Sequence, residues 1–302
     1  MITYFDGEFV EDEKASISVR SRALNYGLGC FGGIRAYAAD DGKQLYLFRL
    51  DEHVARLRDS AKIIYLRLPG TDTDVRGIVT EVIRRNQIHY DVYVRPLLFN
   101  NSNKLAPIIR EEDTSFTVFC IPIQRYIDKD SLDVCVSSWR RVQDNAIPAR
   151  AKPTGIYLNS ALARREAMDN GFDEAIFLTQ SGKVAEGSAE HVFIVRQGVL
   201  YSPPSTADNL DGITRRSIIT LAREDLKLEF HERNINRSEL YVAEEMFLCG
   251  TGAQITPVRS VDRRVLGDGN IGPITQKLQQ HYADVVRGRI NHRHNWLTPV
   301  WT

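Results

Sequence analysis

Ala151-Lys152-Pro153-Thr154-Gly155-Ile156-Tyr157-Leu158 is the turning point of this sequence. It closes a polar, irregular run that starts at Arg140 and carries Pro148 and Pro153. It opens a helix over Tyr157 to Asn170, with Gly171 as the C-terminal stop. Lys152 therefore sits in an ordered loop just before a helix. A lysine used as a Schiff-base nucleophile must lose its proton near neutral pH through neighbouring cations, desolvation or a cofactor that captures the free amine. Arg150 lies two residues away and Pro153 adjoins it. Position alone still favours an ordinary solvated lysine.

Toward the N-terminus, Ile2 to Val10 alternate around Asp6-Gly7 as a hairpin, and Ile34–Tyr37 with Gln44–Phe48 flank Asp40-Asp41-Gly42-Lys43 as a second. Asp51 is the expected cap of a helix carrying Val54, Leu57, Ala61 and Ile64, its stripe flanked by Arg56 and Arg58. Thr73 is the expected cap of another, with Val75, Ile78, Val79, Val82 and Ile83 on one face. Strands follow at 92–99 and 114–122. Beyond the lysine, short strands at 173–178, 189–195, 199–201, 228–233 and 245–249 mix with helices near 213–224 and 273–287. The fold class is α+β, without regular βαβ alternation. With 302 residues, two α/β domains are expected: 1–122 small, 133–302 large, and 123–132 as the interdomain loop.

Composition narrows the function classes. Lys+Arg at 39 balance Asp+Glu at 39, which favours neither nucleic acid nor a membrane surface as partner. The opening MITYFDGEFV lacks a basic region before a long apolar run, and a cytoplasmic protein is expected. Cys30, Cys120, Cys135 and Cys249 lie far apart and are expected to be reduced and structural. No metal site is expected.

Four further features could carry chemistry, each with an ordinary alternative. At Gly212-Ile213-Thr214 free backbone N–H groups and a hydroxyl could hold a phosphate at a helix start, or simply cap the helix. Glu186, bracketed by Gly182, Gly187 and Ser188, could meet a ligand or be a solvated turn glutamate. Tyr93 and Arg95 share a strand face by the two-residue period, so hydroxyl and guanidinium project together and could bind a carboxylate or pack structurally. Gly250-Thr251-Gly252-Ala253 could present N–H groups to an anion or end a strand.

Their order removes the ambiguity. Asn25-Tyr26-Gly27 with Phe31 to Arg35, His53-Val54-Ala55-Arg56-Leu57, Tyr93-Val94-Arg95-Pro96, Ala151-Lys152 to Tyr157-Leu158, Ala185-Glu186-Gly187, Gly212-Ile213-Thr214-Arg215 and Gly250-Thr251-Gly252 leading to Ile255-Thr256-Pro257-Val258-Arg259 occur in one sequence. In that order the chain resembles the class IV aminotransferases, and most of all the branched-chain aminotransferases, over nearly its full length. The resemblance implies the fold-type IV, D-amino acid aminotransferase-like architecture and pyridoxal 5'-phosphate on Lys152 as an internal aldimine. Tyr157 would reach the ring's phenolic oxygen, and Glu186 would face the pyridine nitrogen, keeping it protonated as an electron sink. Arg56, Gly212, Ile213, Thr214 and Thr251 would hold the phosphate. Tyr93 with Thr251-Gly252 would hold the substrate α-carboxylate, Tyr26 and Phe31 would shape the side-chain pocket, Arg95 would handle the glutamate side-chain carboxylate, and Gly33 and Arg35 would also belong to the substrate site. The implied reaction is ping-pong transamination between Leu, Ile or Val and 2-oxoglutarate, with amino acids and 2-keto acids as substrates and a homodimer whose interface carries the active sites.

Certain positions depart from the branched-chain pattern. Gly32 stands where glutamate is usual, which would leave Arg35 or Arg95 without a neutralising partner. Asn100-Asn101-Ser102-Asn103-Lys104 replaces a glycine-rich turn, and Ala189 and His191 replace a glycine and an asparagine. The rival readings within the fold are a D-amino acid or (R)-amine aminotransferase, and aminodeoxychorismate lyase.

Overall fold

The computed structural model describes residues 1–123 and 129–301; residues 124–128 of the expected interdomain loop lie outside the described residues. Contacts divide the chain into two compact units: Met1–Gln124, Ala151–Gly155 and Asp284–Thr302 form unit 1, and Arg125–Arg150 with Ile156–Ala283 form unit 2. A single cut near residue 123 does not express this division, because the chain returns to unit 1 at Lys152 and again at its end.

Unit 1 opens with the expected hairpin, β1 (Ile2–Phe5) and β2 (Glu8–Glu11). Its turn puts Asp6 at φ 44° and Gly7 at φ 103°, the left-handed region that Asp-Gly tolerates. With β3 (Gly29–Phe31), β4 (Ile34–Ala38), β5 (Leu45–Phe48), β6 (Val92–Asn100) and β7 (Thr114–Pro122) it builds a sheet ordered β5-β4-β6-β7-β1-β2, with β3 also on β6. The short helix α1 (Arg22–Tyr26) is capped by Ser21, whose hydroxyl accepts from the Ala23 N–H, and it ends on left-handed Gly27.

Helices α2 (Leu50–Ile63) and α3 (Asp72–Arg85) contribute Leu50, Val54, Leu57, Val75, Val79, Val82 and Ile83 to one core with Val92 and Val94 of β6. Their starts differ from expectation. Helix α2 begins at Leu50 after left-handed Arg49, so Asp51 lies inside the first turn and pairs with Arg76 at 2.6 Å instead of capping. The cap of α3 is Thr71, not Thr73: its hydroxyl accepts from the Asp74 N–H at 3.2 Å while the Asp74 carboxylate accepts from the Thr71 N–H at 2.8 Å. That reciprocal box needs the acid three residues after the cap, a spacing only Thr71 satisfies here.

Unit 2 holds β8 (Leu132–Arg140), α4 (Tyr157–Asp169), β9 (Glu174–Leu178), β10 (Val184–Gly187), β11 (His191–Arg196), β12 (Val199–Ser202), α5 (Ile213–Thr220), β13 (Phe230–Glu232), α6 (Arg237–Leu240), β14 (Glu245–Gly250), β15 (Gln254–Val261), β16 (Arg264–Val265) and α7 (Pro273–Val286). The strands run β10-β9-β8-β15-β14-β11-β12-β13, with β16 on β15. Strands β8 and β9 are parallel and joined through α4, while β14 is antiparallel to both its neighbours, so the sheet is mixed. The final strand β17 (Leu297–Pro299) pairs with β5 and returns the chain to the sheet of unit 1. All four cysteines are free and buried, as expected. Among the described residues no helix is long and apolar enough to cross a membrane.

Candidate active site

In unit 1 the Lys152 loop is built onto β3. The Phe31 N–H donates to the Lys152 carbonyl at 3.3 Å, Cys30 bridges Pro153, and the Thr154 hydroxyl donates to the Gly27 carbonyl at 2.7 Å. Lys152 itself takes φ 44°, a left-handed conformation uncommon for a lysine. Its Nζ stands 5.0 Å from the centroid of the Phe31 ring. Arg95 covers the same ring at 4.2 Å and donates to the Tyr93 hydroxyl at 2.9 Å. Lys152, Phe31, Tyr93 and Arg95 are thus brought together.

Gly33 completes this group, because a methyl there would overlap the Tyr93 hydroxyl oxygen. At Gly32 a β-carbon would come 2.8 Å from Pro96 Cγ. The structure separates the two arginines of the sequence reading. Arg35 is buried, lies over the Tyr37 ring and has a carboxylate partner in Asp91 at 3.4 Å, which Arg287 also binds at 3.2 Å. Arg95 makes no ion pair among the described residues, and its buried Nε has no hydrogen-bond partner. Arg56 is half-buried on α2, and Tyr26 is exposed at the end of α1.

In unit 2, Glu186 is buried at the end of β10. Arg141 Nη2 lies 2.8 Å from its Oε1, and the Leu210 N–H donates to its Oε2 at 3.3 Å. His191, the first residue of β11, places Nδ1 3.6 Å from the same Oε2. The opposite edge of the imidazole packs on Gly212, where any β-carbon would overlap it. Gly212 is the extended N-cap of α5, so Ile213 and Thr214 open that helix directly beside His191. Arg215 locks the helix start to the sheet, donating to the Ser202 hydroxyl at 3.1 Å, the Pro203 carbonyl at 2.7 Å and Glu232 at 2.6 Å. Thr251 and Gly252 form the turn between β14 and β15, and Tyr157 is half-buried as the first residue of α4.

Sequence reasoning passes over Arg141 and Glu190. Arg141 is hidden in the polar run after β8, and only the Glu186 contact marks it. Glu190 is fully enclosed; burial, with Glu174 adding to it, pushes its carboxyl up to about 8. Among the described residues no cluster of His, Cys, Asp or Glu could hold a metal ion.

The family model described as amino-transferase class IV matches residues 29–261. A probable branched-chain-amino-acid aminotransferase of Aquifex aeolicus is 42% identical over 99% of this chain and 96% of its own length. The crystal structure of a branched-chain aminotransferase from the thermophilic archaeon Thermoproteus uzoniensis with norvaline superposes with a TM-score of 0.95 at 44% identity, covering 100% of this chain and 99% of that one. The branched-chain amino acid aminotransferase of Thermobaculum terrenum in its PLP-form (holo-form) gives a TM-score of 0.94 at 38% identity, covering 100% of this chain and 98% of that one.

Proposed function

The chain belongs to the class IV aminotransferases, and from that premise we propose that it is a branched-chain amino acid aminotransferase, exchanging the amino group of Leu, Ile or Val with 2-oxoglutarate. The observation that carries the reading is Lys152: its backbone is held in the left-handed region and its amine lies beside the Phe31 ring in a group with Tyr93 and Arg95. The fold's cofactor fits the residues present. Glu186 is a buried carboxylate paired with Arg141 at 2.8 Å, the kind of partner a ring nitrogen would need, and the Gly212-Ile213-Thr214 helix start would offer backbone N–H groups to a phosphate.

When bound, pyridoxal 5'-phosphate supplies an electrophilic aldehyde and an electron-accepting ring. The amine of Lys152 would hold that group, and the same amine would take up the proton at the substrate α-carbon. Glu186 would stabilise positive charge at the ring nitrogen, Tyr157 would serve the phenolic oxygen, and Arg56, Ile213, Thr214 and Thr251 would bind the phosphate. Tyr93 and the Thr251-Gly252 turn orient the α-carboxylate; Phe31, Gly33 and Tyr26 define the apolar side of the pocket. Arg95 receives the second carboxylate of glutamate or 2-oxoglutarate. Donor and acceptor use the same residues in turn, which gives ping-pong kinetics. The active form is a homodimer of the cytoplasm, where its buried thiols stay reduced.

The test is a half-reaction scan on purified protein with added pyridoxal 5'-phosphate. The visible absorbance is followed as L-leucine, L-glutamate, D-alanine and (R)-1-phenylethylamine are added separately, with Lys152→Ala alongside. Bleaching by L-leucine and L-glutamate, absent in Lys152→Ala, is the expected result. Bleaching by D-alanine or the amine with L-leucine inert would overturn the substrate assignment.

A further inference from the structure

His191 stands between two features that the proposed function uses for opposite ends of one planar molecule. One edge of its ring faces the Glu186 carboxylate, with Nδ1 3.6 Å from Oε2. The other edge fills the space that any side chain at Gly212 would need. The residue is 5% exposed, and its backbone opens β11 in register with Cys249 of β14. Glu186 is at the same time held on Oε1 by Arg141. Arginine thus holds one carboxylate oxygen, while the histidine ring lies against the other at ion-pair distance and against the helix start as well.

Resting on the reading above, we propose that His191 is a positioning residue that sets the distance between the Glu186 carboxylate and the Gly212-Ile213-Thr214 helix start, making them one rigid seat for the cofactor. Rigidity follows from packing: a planar ring in contact on both edges transmits displacement of one neighbour to the other. The polar contact and the steric contact are separable by substitution. His191→Asn keeps a nitrogen at the position of Nδ1 and removes the edge that meets Gly212. His191→Leu keeps bulk and removes the ring nitrogen that faces Glu186.

The experiment reconstitutes wild type, His191→Asn, His191→Leu, Gly212→Ala and the double variant Gly212→Ala/His191→Asn with pyridoxal 5'-phosphate. It reads the cofactor dissociation constant and the position of the bound visible band at fixed pH, with apo-protein thermal unfolding as a folding control. His191→Leu should weaken cofactor binding by about tenfold and shift the band, the loss of one buried polar partner. His191→Asn should restore the band position. Gly212→Ala should weaken binding by about tenfold in the wild-type background and by at most about twofold in the His191→Asn background, since the clash has gone. Equal Gly212→Ala penalties in the two backgrounds, or a His191→Leu variant with unchanged affinity and band, would overturn the proposal. A wild type that binds no pyridoxal 5'-phosphate would sink the functional reading itself, and this inference with it.

Discussion

Arg141 Nη2 and Glu186 Oε1 lie 2.8 Å apart, each side chain less than a tenth exposed, so a full charge pair is enclosed in unit 2. Neither partner tolerates the loss of the other, because a buried charge left alone must be neutralised or drag water inward. Arg141→Met should therefore lower stability by roughly 3–5 kcal/mol and leave the Glu186 carboxylate without its guanidinium partner. Differential scanning calorimetry of the apo-protein reads the first effect. The second appears as slower bleaching of the bound cofactor by L-leucine. A variant as stable and as fast as wild type would show that Glu186 does not depend on this pair.

Gly33 and Tyr93 form a second dependent pair. A methyl at position 33 would overlap the Tyr93 hydroxyl, which accepts from Arg95. Gly33→Ala should displace that hydroxyl by a fraction of an ångström and reduce kcat/KM for L-leucine by about ten- to a hundredfold, with little change in melting temperature. Steady-state kinetics beside thermal unfolding decides it. A large loss of stability with normal kinetics would mean that the contact is only packing.

Arg95 carries a positive charge with no ion pair among the described residues, whereas Arg35 is matched by Asp91. Replacing Arg95 by Met should raise KM for 2-oxoglutarate by on the order of tenfold or more and leave KM for L-leucine within about twofold. Arg35→Met should instead act on folding, since it removes a buried guanidinium that lies over the Tyr37 ring, while Asp91 keeps Arg287 as its partner. If both variants changed the 2-oxoglutarate KM alike, Arg35 would share the substrate carboxylate and its contact with Asp91 would not be its main role.

The elements that the sequence announces are those whose signal is local. Asp6-Gly7 sets a hairpin by backbone preference alone, and the stripe from Val75 to Ile83 repeats with the helical period. Strands β10 and β15 carry no such signal, because Val184–Gly187 is short and glycine-ended and Gln254–Val261 contains a proline; neighbouring strands decide both. Helix starts differ by one or two residues where a left-handed Arg49 or a reciprocal Thr71–Asp74 box takes the place of the nearest acid or threonine. Of the proposed site residues, Lys152, Tyr93, Arg95 and Glu186 are nominated by type and order. Arg141 is not, since its meaning is a contact with Glu186, far along the chain, that spacing does not encode.

Glu190 gives the protein a pH dependence of its own. It is enclosed beside Glu174, its Oε1 has no hydrogen-bond partner, and its carboxyl is pushed up to about 8 from 4.5, chiefly by burial. Below 4.5 the group is protonated in folded and unfolded chains alike, so its contribution to stability is fully present there. Between 4.5 and about 8 the unfolded chain has released the proton that the folded protein keeps, so stability falls as pH rises, by at most about 1.4 kcal/mol per pH unit. Glu190→Gln, which keeps an acceptor for the Ala189 N–H, should flatten that slope and leave the variant more stable than wild type near pH 8. Chemical denaturation at about pH 5.5, 7 and 8 measures both slopes. Parallel slopes for wild type and variant would place the titrating group elsewhere, and a less stable variant at the highest pH would mean that the Glu190 carboxyl makes a bond the amide cannot replace.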